Sequence, residues 1–434
     1  MNIRTPSSNV LLGAISRSLS IGCGAMLVPM LIACLGSEGY GTWAAISSLT
    51  MAISLLDLGF GNSIRNSVAE MRDSSSSSVK KEYIGSFQIL LLLGVCAAII
   101  FALIITKVSL PQDQKTTLLL LYSPLLLSLP LLLSSGVLQG ARLYGLQSFF
   151  QSIPSLTLLC LVAFCRFKDY TPALTQLAAT WAISNTVCLF TASLLSLRIL
   201  NLNIACFRVI AISCVPRDRL MKAMEFFCLQ ISSLFVYGIG NLLVYKSLGP
   251  LEVSRYDVLS KLFQLALSFY VIQIGVYWAE ISMAKSRSGY RRLRQIFSRL
   301  SFTCLSFSLI SLSLAFIAPS IISKWTNGKV HLAISEAIVM AILVSLQAFS
   351  YIGAVFMNAF ELLRPQIIIA LSSAFAMIPL SSYLFSIKCG IISVPVAAST
   401  VTFMAAIICI YCTLMILRDC RNLQAANLIA KVKL

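Results

Sequence analysis

The stretch Leu55-Leu-Asp57-Leu-Gly59-Phe-Gly61-Asn62-Ser-Ile-Arg65-Asn66 places a carboxylate, two glycines and a guanidinium in an otherwise apolar run. At the centre of a hydrocarbon-embedded helix one such charge costs about 2.5–3.5 kcal/mol, so it faces protein or a wet cavity. Asp57 and Arg65 are eight residues apart and share a helical face two turns apart. Three readings of Asp57 follow: a counter-ion holding an arginine, a proton or sodium site, or a helix cap. Two further clusters carry charge inside apolar sequence. Arg17 lies roughly seven residues into the first apolar run, about 10 Å of helix. It either snorkels back to the headgroups or lines a cavity and meets an anionic group such as a pyrophosphate by charge-assisted bonds. In Ser254-Arg255-Tyr-Asp257-Val-Leu-Ser-Lys261, Asp257 and Lys261 stand four apart and share a face. They form either an intrahelical pair that lowers insertion cost or part of a cavity wall. Arg255, near one end, anchors the helix or joins that wall.

The elements that must hold these residues are set by composition. Of 434 residues, 58% are hydrophobic and only 11% charged, against about 25% charged in soluble domains. The deficit of charge selects an all-α, polytopic membrane protein. Spans of about 20 apolar residues are expected at about 10–34, 40–63, 83–106, 117–138, 145–165, 173–197, 221–246, 254–279, 296–318, 332–357, 365–387 and 391–417. The segment Ile204–Val215, broken by Arg208, is too short to span and reads as an interfacial helix. No secretory signal peptide is expected at the start.

The formal net charge of +18 is distributed as a topology signal. Twenty-two of the 33 Lys and Arg fall in alternate connections or the tails on one side and nine on the other, with Arg17 and Lys261 inside spans. By the positive-inside rule both termini are cytoplasmic, and nucleic-acid binding is not needed to explain the charge. The connections are short, and none is large enough to house a soluble active site. The Ser74–Ser78 run reads as a solvated loop. Cysteines sit mostly in apolar runs. Cys409 and Cys412 have no His or further Cys beside them, so neither a disulfide framework nor a metal site is expected.

The polar stretch Arg198–Lys222 divides the spans six and six: a bundle at 1–200, a connection at 201–220 and a bundle at 221–434. A weak repeat agrees with this. Leu35-Gly36 precedes Trp43, and Leu248-Gly249 precedes Tyr256, with identical spacing and an offset of 213 residues. Such repeats are parallel when each half has an even number of spans. Pro29 and Pro130 fall mid-span, where proline kinks helices. Gly22 and Gly24, and Gly238 and Gly240, form GxG pairs suited either to bending or to close packing. Glu225 and Glu336 lie near helix ends, and His331 in an outer loop.

Several stretches resemble the flippases that carry lipid-linked O-antigen repeat units, within the multidrug/oligosaccharidyl-lipid/polysaccharide exporter superfamily. They are Leu35-Gly-Ser-Glu-Gly-Tyr-Gly-Thr-Trp43 with the Asp57 stretch, Gly136-Val-Leu-Gln-Gly140-Ala-Arg142-Leu-Tyr-Gly145, Val253-Ser-Arg-Tyr256-Asp-Val-Leu-Ser-Lys261-Leu-Phe263, and Trp278-Ala-Glu280 with Gly289-Tyr-Arg-Arg292. The resemblance implies twelve helices in two six-helix bundles around a central cavity. It implies a substrate of undecaprenyl-pyrophosphate carrying a short oligosaccharide, with Arg17, Arg65, Arg255 and Lys261 forming a basic cavity. Asp57 and Asp257 would serve as counter-ions or in proton or sodium coupling. No cofactor and no enzymatic step are implied. Expected partners are membrane lipids and, in the wider assembly, an O-antigen polymerase and chain-length regulator. Lys261 stands where relatives often carry Arg, which removes bidentate recognition at that point. Two other classes stay in view. A cation antiporter of the same superfamily wants an acid-rich cavity, and a membrane polymerase wants a large outer loop.

Overall fold

The computed structural model describes residues 6–69, 76–203, 206, 217–286, 290–360 and 362–432. Among these residues the secondary structure is helical, with no strand. The chain divides into two compact units, Met1–Phe227 and Cys228–Leu434. The stretch expected as an interfacial helix, 204–215, lies outside the described residues except for Cys206.

In the first unit, α1 (Pro6–Ser48) is 43 residues long. A straight helix of that length would run to about 65 Å, twice the hydrocarbon core. Its backbone leaves helical geometry at Gly36 (φ 71°, ψ 174°), while Pro29 stays inside the helix. The second expected span, 40–63, is not one helix. It runs through the end of α1 into α2 (Thr50–Leu55), turns at 56–59 and resumes as α3 (Phe60–Ala69). The turn holds Leu58 (φ 51°) and Gly59 (φ 76°) in the left-handed region. Asp57 therefore does not stand mid-helix; it stands in a break.

The unit continues with α4 (Ser76–Lys107), α5 (Gln112–Leu127), α6 (Leu133–Gly140), α7 (Tyr144–Phe167) and α8 (Leu174–Ile199). Pro130 is the second residue of a short 3₁₀ turn, Leu129–Leu132, and the helices on either side are bent by 58°. The main contacts join α1 to α7, α7 to α8, α5 to α8, and α3 to α6. The α3–α6 crossing depends on small residues. A Cβ at Gly136 would overlap the Gly61 carbonyl, and one at Gly140 would lie 2.6 Å from the Arg65 carbonyl oxygen. Gly136-x-x-x-Gly140 is thus a small-xxx-small face, the device that lets two helices approach in a bilayer. Along the middle of α4, between Leu91 and Ile104, the outward face is apolar: Leu92, Ile99, Ile100 and Leu103 are exposed. That is the surface a lipid solvent requires.

The second unit follows α9 (Arg217–Ser233), a helix that straddles the division. It contains a π-helical turn (Leu234–Gly238), α10 (Gly240–Leu248), α11 (Pro250–Ser286), α12 (Tyr290–Trp325), α13 (Ile334–Ala359), α14 (Leu363–Ser386) and α15 (Ser393–Val432). α13 is the centre, packing on α11, α12 and α15. Its small residues explain this: Ala337, Ala341 and Ala348 are fully buried, and a Cβ at Gly353 would stand 2.8 Å from the Cys409 backbone. Cys409 is spent on that contact. The second GxG pair lies at the π-turn, where Gly240 admits the Tyr256 ring. The first pair lies in unbroken helix with open space beside each glycine.

Among the described residues nine helices are long and apolar enough to span, or ten if the pair bent at Pro130 counts as one. Twelve spans were expected from the sequence, and α1, which passes the non-helical Gly36, is counted once here. One feature accounts for part of the difference: α1 takes in the first expected span and the start of the second across the break at Gly36.

Candidate functional site

α11 carries the charge. Its first turn begins after Gly249 with Pro250 at the first position, where a missing N–H costs nothing. Along it, Asp257, Lys261 and Gln264 recur at i, i+4 and i+7 and form one polar stripe. The Asp257 side chain is 6% exposed and bonds Lys261 Nζ at 2.7 Å. Asn241 of α10 donates its Nδ2 to Asp257 Oδ1 at 2.8 Å. The acid is thus held from two sides, while the Lys261 side chain keeps 48% exposure. Asp257 orients Lys261 and offsets its insertion cost, while the lysine side chain remains about half exposed. One turn further, Gln264 donates to Gln347 Oε1 of α13 at 3.4 Å.

Gln347 also lines a cavity of about 170 Å³ in the same unit. Its walls come from the end of α9, the π-turn, α13, α14 and α15, and include Tyr237, Tyr351, Gln366, Ser373 and Thr402. A π-turn widens the helix locally and often marks functional sites. Here it brings Tyr237 to Thr402, with the two hydroxyls 2.8 Å apart. The stripe adjoins, at Gln347, a cavity whose lining is mostly apolar with polar groups set into it.

Arg255 takes a different place. Its Nη1 meets Glu252 at 2.7 Å, its Nη2 meets Glu336 at 2.8 Å, and its Nε donates to the His331 carbonyl at 3.2 Å. The guanidinium ties the start of α11 to that of α13. Glu336 also accepts from the Ala333 amide at 2.8 Å, capping α13. The geometry serves an anchor between helix ends rather than a free anion site.

In the first unit Asp57 is a cap. Its Oδ1 accepts from the Gly59 amide at 2.9 Å and its Oδ2 from the Gly61 amide at 3.3 Å, closing the break before α3. Both oxygens are used by backbone, as a capping carboxylate's are. Arg65 sits on α3, half-buried, and Arg17 is exposed on α1. The structure therefore joins Asp257 with Lys261 in one cluster, puts Arg255 in a second, and leaves Asp57, Arg65 and Arg17 in the other unit.

Two features went unread in the sequence. Glu82 of α4 is 3% exposed and accepts from Ser63 Oγ at 2.8 Å and Ser67 Oγ at 2.9 Å. The i, i+4 spacing of those serines on α3 was its available signal. The second is the neutral cavity. Its serines and threonines are of a kind that commonly bond their own helix backbone, so they leave no pattern.

The family described as "Polysaccharide biosynthesis protein" matches residues 8–277. No curated protein matches the chain. Solved structures share the fold at low identity. An inward-facing multidrug resistance MATE family transporter of the MOP superfamily is 12% identical, with TM-score 0.70 over 94% of this chain and 99% of that one. An outward-facing form matches at 13% identity and TM-score 0.65 over 96% of each chain. A Pyrococcus furiosus MOP superfamily transporter described as having reversed polarity of its binding pocket is 13% identical, with TM-score 0.64 over 96% of this chain and 97% of that one. The chain belongs to the polysaccharide biosynthesis protein family, as a multi-pass membrane protein with the fold of the MOP superfamily transporters.

Proposed function

We propose that the protein is a flippase that moves undecaprenyl-pyrophosphate-linked O-antigen repeat units from the cytoplasmic to the periplasmic leaflet of a bacterial inner membrane by alternating access. In this reading twelve segments cross the bilayer, both termini are cytoplasmic, and no bond is made or broken. An O-antigen polymerase and a chain-length regulator act on the delivered unit. The observation that carries the proposal, beside the family, is the Lys261 stripe next to the neutral cavity. A half-exposed lysine suits a phosphate, and hydroxyl and amide groups suit a sugar.

A multidrug cation antiporter is the second reading, favoured by the shared fold. A cation site in a membrane interior wants an uncommitted buried carboxylate. The buried Asp257 and Glu82 are both engaged, by Lys261 and Asn241 and by Ser63 and Ser67.

The test is complementation of a strain lacking its O-unit flippase, with wild type, Arg17→Ala, Asp57→Ala and Lys261→Ala at matched membrane levels. Restored polymer with wild type and loss with Lys261→Ala supports the reading. Failure of wild type in a background making its own repeat unit, together with efflux of ethidium, would favour the antiporter.

A further inference from the structure

The cavity in the C-terminal unit has a lining that discriminates by chemistry. Its volume is about 170 Å³, whereas one water takes about 10–15 Å³ by the same measure. The space therefore admits a group of many heavy atoms. Among its described lining residues none is Lys, Arg, His, Asp or Glu. Most of the exposed lining is apolar, and into it Gln347, Gln366, Ser373 and Thr402 set amides and hydroxyls, with rings from Tyr237 and Tyr351. Gln366 Oε1 is buried without a hydrogen-bond partner. A buried acceptor of that kind is costly unless something supplies a donor.

We infer that this cavity is the subsite for an uncharged sugar ring of the transported lipid, and that Lys261 takes the adjoining pyrophosphate. The inference rests on the flippase reading and specifies the cargo. Sugar hydroxyls both donate and accept, which matches the lining groups, and the C–H face of a pyranose packs on aromatic rings. A carboxylate entering the cavity would lose its hydration and meet no cation. A drug cation would meet no acid. The Lys261 stripe lies beside the cavity wall, because Gln264, one turn on from Lys261, bonds Gln347 of the lining at 3.4 Å. The cavity also lies toward the end where α13 passes into α14. That end bears Arg364, on the arginine-rich side from which a cytoplasmic cargo would load.

Binding of three probes to the purified full-length protein in detergent tests this: a short polyprenyl pyrophosphate, the same lipid carrying an N-acetylhexosamine disaccharide, and the same lipid carrying a disaccharide with a uronic acid. The neutral glycolipid is expected to bind about ten-fold tighter than the bare lipid, and the uronic-acid probe no better than the bare lipid. Filling the cavity with Ser373→Leu on α14 or Ala405→Leu on α15 is expected to erase the sugar increment and leave bare-lipid affinity unchanged. Lys261→Met is expected to weaken all three probes by one common factor. Should either leucine variant unfold, Ser373→Val reads the same increment. An absent sugar increment, an increment that survives the filled cavity, or equal binding of the uronic-acid probe overturns the subsite and leaves the flippase reading standing. Binding of none of the probes by wild type overturns both.

Discussion

Gly36 and Gly249, 213 residues apart, hold the same backbone conformation: φ 71° and ψ 174° at the first, φ 91° and ψ 175° at the second. Each follows a leucine and precedes, seven residues on, a buried aromatic, Trp43 or Tyr256. The two units thus repeat one local geometry where their first helix gives way to the second. A positive φ with extended ψ is open essentially to glycine alone. Alanine at either site is therefore expected to cost about 1–3 kcal/mol, read as a lowered midpoint of thermal unfolding in detergent. Open space surrounds both positions, so the loss comes from backbone strain and not from a clash.

At the α3–α6 crossing the outcome turns on volume. Gly136→Val drives a side chain into the Gly61 backbone, which cannot yield as a flexible side chain would. A loss of several kcal/mol, or failure to accumulate in the membrane, is expected, since overpacking commonly costs about 1–3 kcal/mol even where neighbours relax. Gly22→Ala, with nothing nearby, is the matched control and should accumulate normally.

The Arg255 anchor is expected to show coupling between helices. Arg255 and Glu336 are 29% and 14% exposed, so solvent screens the pair in part. A double-mutant cycle with Arg255→Gln and Glu336→Gln should return a coupling of about 1 kcal/mol. Additive losses would mean that the contact contributes nothing. Loss of transport with unchanged stability would instead restore Arg255 to a cargo role.

For Asp57 the cap makes a graded prediction. Asparagine keeps an oxygen for the Gly59 amide and should stay within a few tenths of a kcal/mol of wild type, whereas alanine should cost about 1 kcal/mol. Complementation that fails with Asp57→Asn at normal stability would show that the charge itself matters.

The sequence exposed these features unevenly, for physical reasons. The α11 stripe was legible because charges inside an apolar run are costly and stand out. The leucine–glycine pairs were legible because only glycine takes that backbone. The break at Asp57 was legible only as one of three readings, the helix cap, since a continuous apolar pattern over 40–63 hid a turn carried by Leu58 and Gly59 in left-handed geometry. Arg255 was placed on the right helix but without its partners; Glu336 lies 81 residues away, beyond the reach of local spacing. Gly136 and Gly140 drew notice as a family-like stretch, whereas their work is to bring α6 onto α3. The cavity escaped because neutral hydroxyls and amides cost little in a helix and leave no periodic signal.

The polarity of α11 has a consequence for how the chain is made. Presented alone to the insertion machinery, α11 offers the uncharged stretch 262–279 to the bilayer, whereas its first three turns, holding Glu252, Arg255, Asp257 and Lys261, enter less readily, since a charge costs more the nearer it lies to the helix centre. The group that eases its entry first is Asn241, sixteen residues before Asp257 on the preceding helix. Biogenesis is therefore expected to be cooperative. In a glycosylation-mapping assay the first three turns of α11 should sit deeper in microsomal membranes when α10 precedes them than when α11 is presented alone, so that the second unit begins as a hairpin.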